Sequence, residues 1–258
     1  MLAALAVFSG TAHALPLGTD VTISDQNYSG TGWYGNHEDN ETETNPNTLD
    51  GQNWDLEGMY MNGTTLTLVG GYDFKNGVNY GGHNYGSGDL FIDLNGNAVF
   101  GQAANGGSGL AGTTTNLFGY DLVLDLDYTS MTFDVIELSP GSVLDRGIVV
   151  PSSNPWRYDH GGTAVAGFQD LSFSYFSGLS NADVGGLLGY NGNNSHYAIS
   201  LDTSFLNGAA ATFHYTMECG NDDLMGHTSS VPDGGTTLGL LSATLLGLVG
   251  LRRRMLRA

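Results

Sequence analysis

Cysteine is nearly absent from this chain. Cys219 is the single one among 258 residues, so no disulfide can form within the chain, and a folded state must rest on a packed core, helped at most by bound ions. Basic residues are almost as scarce. Of seven, Arg252, Arg253, Arg254 and Arg257 stand at the C-terminal end, leaving only Lys75, Arg146 and Arg157 before it. Against the 25 carboxylates between residues 15 and 232, that gives this stretch a net charge of −22, a field that repels nucleic acid and anionic lipid and attracts cations. Glutamate, which favours helices, contributes six of the acids, and aspartate, the residue of turns and of oxygen-ligand metal sites, contributes twenty. No segment carries a convincing amphipathic helical period, no repeat recurs at a fixed spacing, and no apolar run reaches the roughly 18 residues of a full membrane span.

What is present is the material of strands and turns, including 40 Gly and 13 Tyr. Trp54 to Met61 and Thr64 to Phe74 flank Asn62-Gly63, and Asp89 to Leu94 and Asn97 to Phe100 flank Asn95-Gly96, two strong hairpin dipeptides. Asp93 to Asn97 starts like an EF-hand loop but has Ala98 where Gly is required and Ala104 where Glu is required, so the hairpin reading is preferred. In Tyr120 to Tyr128, Leu122, Leu124 and Leu126 alternate with Asp121, Val123, Asp125 and Asp127, which predicts one buried and one wet, anionic face, with Met131 to Leu138 as hairpin partner. Leu171 to Ser177, His196 to Leu206 and Ala211 to Cys219 complete about ten strands. In the last, Phe213, Tyr215, Met217 and Cys219 share the apolar face, where the thiol is an inert hydrophobe. The fold expected is all-β, an antiparallel β-sandwich of jelly-roll type forming one domain over residues 15–230.

The two ends read differently from the middle. Leu2 to Gly10 is a short apolar run, and Ala12-His13-Ala14 supplies small residues for a signal-peptidase site after Ala14, so residues 1–14 are expected to be a signal peptide, though one without a basic n-region. At the other end, residues 231–258 hold Val231-Pro232-Asp233-Gly234-Gly235, an apolar run from Leu238 to Leu251, then Arg252-Arg253-Arg254. As a helix the apolar run spans about 21 Å, short of the roughly 30 Å hydrocarbon core, and the arginines would hold its end in the cytoplasm. Pro232 and the two glycines leave an extended, accessible approach.

Box, apolar segment and arginine cluster together resemble the C-terminal sorting signals of the PEP-CTERM type, closest to the variant that begins Val-Pro-Asp-Ser-Gly, with Gly234 in place of its serine. The resemblance implies recognition by an exosortase, cleavage near the box, transient anchoring in the inner membrane through the C-terminal helix, and delivery to the cell surface or an extracellular matrix. A second resemblance lies in the body. Trp54-Asp55-Leu56-Glu57, Ser87 to Asp93 and Met217 to Asp222 look like recurring blocks of bacterial surface proteins with such tails. These imply a secreted β-sandwich, similar in outline to calcium-stabilised carbohydrate-binding jelly rolls.

Candidate sites follow from residue type. The acidic stretch His37 to Glu43 and carboxylates further along suggest a structural calcium ion, with Glu41, Glu43, Glu57, Asp89 and Asp222 as ligands; for the acidic stretch, a solvated loop is the alternative. Trp33, and the loop from Pro151 to Gly162 with Trp156 and Tyr158, supply rings that stack on sugars, although Trp156 serves equally well as a plug for one end of the core. Seven histidines lie scattered without metal-ligand spacing, no Gly-x-Ser-x-Gly elbow occurs, and Cys219 has no partner for nucleophilic chemistry. The favoured reading is therefore a non-catalytic surface or matrix protein that binds exopolysaccharide. A structural or adhesive coat protein and a secreted glycan-active hydrolase are the alternatives.

Overall fold

The computed structural model describes residues 14–23, 51–99 and 111–230, and among these no α-helix occurs. In chain order the strands begin with β1 (Thr19–Asp20), β2 (Leu56–Asn62), β3 (Thr65–Gly70), β4 (Val78–Tyr80), β5 (His83–Tyr85) and β6 (Leu90–Asp93). There follow β7 (Thr113–Thr115), β8 (Leu122–Asp127), β9 (Thr132–Glu137), β10 (Val143–Asp145), β11 (Arg157–His160) and β12 (Thr163–Ala164). The last are β13 (Leu171–Ser172), β14 (Ser174–Leu179), β15 (His196–Asp202), β16 (Ala211–Thr216) and β17 (Asp223–Thr228).

Two antiparallel sheets form the sandwich, one in the order β1-β2-β3-β15-β14 and one in the order β12-β9-β8-β6-β16-β17, with β13 also on β9. Local hairpins and long-range insertions alternate. β2–β3, β8–β9, β14–β15 and β16–β17 pair as chain neighbours, whereas β3 lies beside β15 and β6 lies between β8 and β16. The main core fills the space between the sheets. Leu56, Met59, Leu66 and Leu68 from the first sheet meet Leu90, Leu124, Leu126, Phe133, Phe213 and Tyr215 from the second, each large side chain contributing roughly 1.5–3 kcal/mol on burial. Cys219 lies buried in this cluster as a free thiol, and burial pushes its pKa up to about 12.

Both outer faces are partly covered as well. A three-stranded sheet, β11-β10-β7, lies over the second sheet and encloses Phe91, Phe118, Tyr120, Val123 and Leu144. The wet, anionic face expected for β8 is therefore half enclosed: Val123 is buried, and Asp125 is half-buried with its pKa raised by that burial. On the first sheet, Leu17 and Val184 cover Val69 and Ala198.

Two turns depart from the dipeptide reading. The β2–β3 loop is Gly63-Thr64, one residue later than expected, with Gly63 at φ +63°. After β6 no hairpin forms at Asn95-Gly96. Asp93 turns the chain instead, its Oδ1 accepting the amides of Asn95 and Gly96, and β6 pairs with β8 and β16.

The N-terminal segment joins the two sheets. β1 pairs with β2, and just beyond it the Val21 amide donates to Met59 O while the Ile23 and His227 amides bond to Met225 O and Val21 O. The segment thus closes the gap between β2 and β17. Gly226 allows the approach: a Cβ there would stand 2.7 Å from Met59 Sδ and 3.4 Å from Val21 O.

Candidate functional site

Of the five carboxylates expected to hold calcium, Glu41 and Glu43 lie outside the described residues, as does Trp33. The other three are buried and occupied by separate duties. Glu57 Oε1 accepts the Gln52 amide at 2.6 Å, and Glu57 Oε2 lies 2.5 Å from His196 Nδ1. Asp222 Oδ2 accepts the Leu56 amide at 2.6 Å. Asp89 accepts the amides of Leu126 and Tyr158 at 2.9 and 2.8 Å, fastening the covering strand β11 to the sandwich. Among the described residues no three acidic, histidine or cysteine side chains are arranged to share an ion.

Asp89 is electrostatically unusual. Full burial and then the Asp125 charge push its pKa up to about 7, against the two amide hydrogen bonds and the Arg157 charge that favour ionisation.

The loop aromatics have mainly structural surroundings. Trp156 is half-buried, and its backbone is part of the frame, with its amide donating to Asp145 O and its carbonyl accepting from Asp89. Its indole Nε1 is buried without an acceptor among the described residues. Tyr158 is half-buried against the second core and donates its hydroxyl to Gly161 O at 2.5 Å.

A different feature stands open at one end of the sandwich. It is a polar cleft of about 410 Å³ between the residues before β2, the β4–β5 hairpin and the approach to β15. Gln52, Asn53, Asp73, Asn79, Asn193, Ser195 and Tyr197 line it. The hairpin turns at Gly81-Gly82, both at positive φ, as a tight two-residue loop requires. It is pinned to the body by Tyr72 Oη donating to Tyr85 O and by His83 Nε2, 3.2 Å from Glu218 Oε2. Trp54 packs edge-on against Tyr80 and Tyr85 of the hairpin.

The cleft floor is fixed from below. Gln52 Nε2 donates both to Glu57 and to Ser195 O, and Glu57 is backed by His196, whose Nε2 lies 2.7 Å from Asn181 Oδ1. Asp73 is saturated with donors: the amides of Lys75 and Asn76, the Asn76 side chain and the Tyr175 hydroxyl. Tyr175 in turn stacks on Tyr197 and carries Lys75 Nζ over its ring. In the sequence this region shows only as a Gly, Asn and Tyr-rich stretch from Lys75 to Gly88. Nothing local signals that Ser195, 143 residues from Gln52, forms the opposite wall.

Comparison with protein families places the chain's tail. Residues 230–255 match the VPDSG-CTERM motif. The described residues are thus all-β, and the chain carries a sorting tag of the PEP-CTERM type, the mark of an exported, exosortase-sorted surface protein. Neither curated proteins nor solved structures give a match. The C-terminal apolar segment lies outside the described residues, and among those described no helix is long and apolar enough to cross a membrane.

Proposed function

We propose that this chain is a non-catalytic surface or matrix protein that binds exopolysaccharide, held in the inner membrane by its tail only until an exosortase cuts near Val231 to Gly235. The observation that carries the reading is the sorting tag closing an acidic all-β body. The non-catalytic part is supported by the fate of the buried acids, since Glu57, Asp89 and Asp222 are each tied to a donor that holds the fold together. Asp73, the carboxylate that lines the open cleft, is surrounded by donors and so is a poor general base. A structural calcium ion would draw on Glu41 and Glu43, and a rise in melting temperature at millimolar calcium is its test.

Sorting is tested in cells that contain an exosortase. Replacing Pro232 and Asp233 by alanine should leave uncut precursor in the membrane fraction, whereas unchanged display at the surface would overturn the route. Binding is tested by co-sedimentation with the polysaccharide of the producing cell, and release of reducing ends from that polysaccharide would favour a hydrolase instead.

A further inference from the structure

Among the described residues, the polar cleft offers a set of groups suited to a polar ligand. Its volume of about 410 Å³ falls within the roughly 300–1,000 Å³ of small-molecule sites, but such sites are mostly apolar with a few polar groups, whereas here amide and hydroxyl groups dominate the walls. Side-chain amides offer donors and acceptors together, which suits the paired donor and acceptor character of sugar hydroxyls. Tyr197 adds an aromatic surface in the same wall.

Charge selects among sugars. The cleft contains the Asp73 carboxylate, and only Lys75 of the three basic residues before the tail stands beside it, its Nζ drawn over the Tyr175 ring. With a net charge of −22 over residues 15–232, a uronic acid or sulfated chain meets repulsion without a compensating cluster of cations.

Placement also favours presentation to a ligand. The cleft lies at the Leu56 end of β2, which the Leu56–Asp222 hydrogen bond sets beside the start of β17. β17 then runs away from it to Thr228 and Ser229, next to the β2–β3 turn at the other end of the sandwich, where the sorting tag begins. The cleft and the start of the sorting tag thus lie at opposite ends of the sandwich.

From these observations we infer that the cleft lined by Gln52, Asn79, Asn193, Ser195 and Tyr197 is a subsite for an uncharged oligosaccharide. The inference rests on the reading of the chain as a glycan binder and gives it a location and a ligand class. Gln52, whose Nε2 is spent on Glu57 and Ser195 O, fixes the floor, while Asn79 on β4 and Asn193 on the loop before β15 offer exposed side-chain amides on either side.

The test is calorimetric titration of the full chain with neutral hexose oligosaccharides of four to six sugars and, in parallel, uronic-acid oligosaccharides of the same length. Asn79→Ala and Asn193→Ala change exposed side chains and should leave the melting temperature unchanged. The expected result is saturable binding of at least one neutral oligosaccharide, about tenfold weaker for each variant, as loss of about one hydrogen bond predicts, with uronic-acid chains bound more weakly. Unaltered binding by both variants would place the glycan elsewhere and overturn this inference, leaving the broader reading intact. Stronger binding of the uronic-acid chains would overturn the ligand class. Failure to bind any of these sugars or the producing cell's own polysaccharide would overturn the broader reading itself.

Discussion

Glu57 Oε2 and His196 Nδ1 meet at 2.5 Å with neither side chain exposed to solvent, and through Gln52 this pair reaches the floor of the polar cleft. Removing one member of such a pair leaves the other buried without its hydrogen-bond partner, a cost of about 1–3 kcal/mol. Glu57→Gln and His196→Ala should each lower unfolding free energy by that order in denaturant titration. The double variant should lose less than their sum, because the two losses share one interaction.

Asp89 and His214 should impose opposite pH dependences. His214 is fully buried and stacked on Tyr120, and burial lowers its pKa to about 3. The folded state then fails to take up a proton that the unfolded state binds, so stability falls as pH drops from about 6.5 toward 3. Asp89, with its pKa raised to about 7, keeps a proton that the unfolded state releases, so stability falls as pH rises from about 4 to 7. Over pH 4 to 6.5 the two slopes offset each other. Relative to the wild type, Asp89→Asn should show stability rising more steeply with pH in that window, and His214→Phe should show it falling, both read from urea midpoints at several pH values.

Gly88 has no room for a side chain. A Cβ there would stand 2.3 Å from Trp156 O and 2.4 Å from Thr216 O, both backbone atoms that cannot turn aside. Gly88→Ala should cost about 3 kcal/mol or more, or prevent folding, since accommodation requires moving the backbone of Trp156 or Thr216. Gly63→Ala is the control. Nothing lies within 4 Å of its Cβ, and only the positive φ opposes it, a penalty of about 1–2 kcal/mol. Melting temperatures of the two proteins should separate accordingly.

The Cys219 thiol, buried and with its pKa pushed up to about 12, should resist alkylation. Iodoacetamide at pH 8 should leave the native protein unmodified by mass spectrometry and add one adduct in 6 M guanidinium chloride. Rapid native labelling would mean that this part of the core opens readily.

The sequence makes the sandwich legible where alternation is strict. Leu124 and Leu126 of β8, and Phe213, Tyr215, Met217 and Cys219 in and beyond β16, occupy the core face as their spacing requires. It misleads where a later segment covers an earlier one. Asp125 reads as a wet residue because nothing near it announces that β11, some thirty residues on, folds over that face. Asn95-Gly96 reads as a hairpin because the dipeptide says nothing of Asp93, which captures its amides. The cleft was hidden for a related reason. Gln52, Asn79 and Asn193 are ordinary loop amides in sequence, and only the insertion of β15 beside β3 brings them to one place. Glu57, Asp89 and Asp222 read as ion ligands from residue type alone, whereas the fold ties each of them to a hydrogen-bond donor.

The stitch made by Val21 to Ile23 has a mechanical consequence for a protein tethered at one end. β17 leads directly toward the sorting tag and is flanked by β16 on one side and by the Val21–Ile23 segment on the other. A pull on Thr228 along the strand axis would load β17 in shear, so that many hydrogen bonds would have to fail together. The same connection spreads the load into both sheets at once. A pull at the C-terminal end of β17 is therefore resisted by both sheets, without a disulfide to carry it.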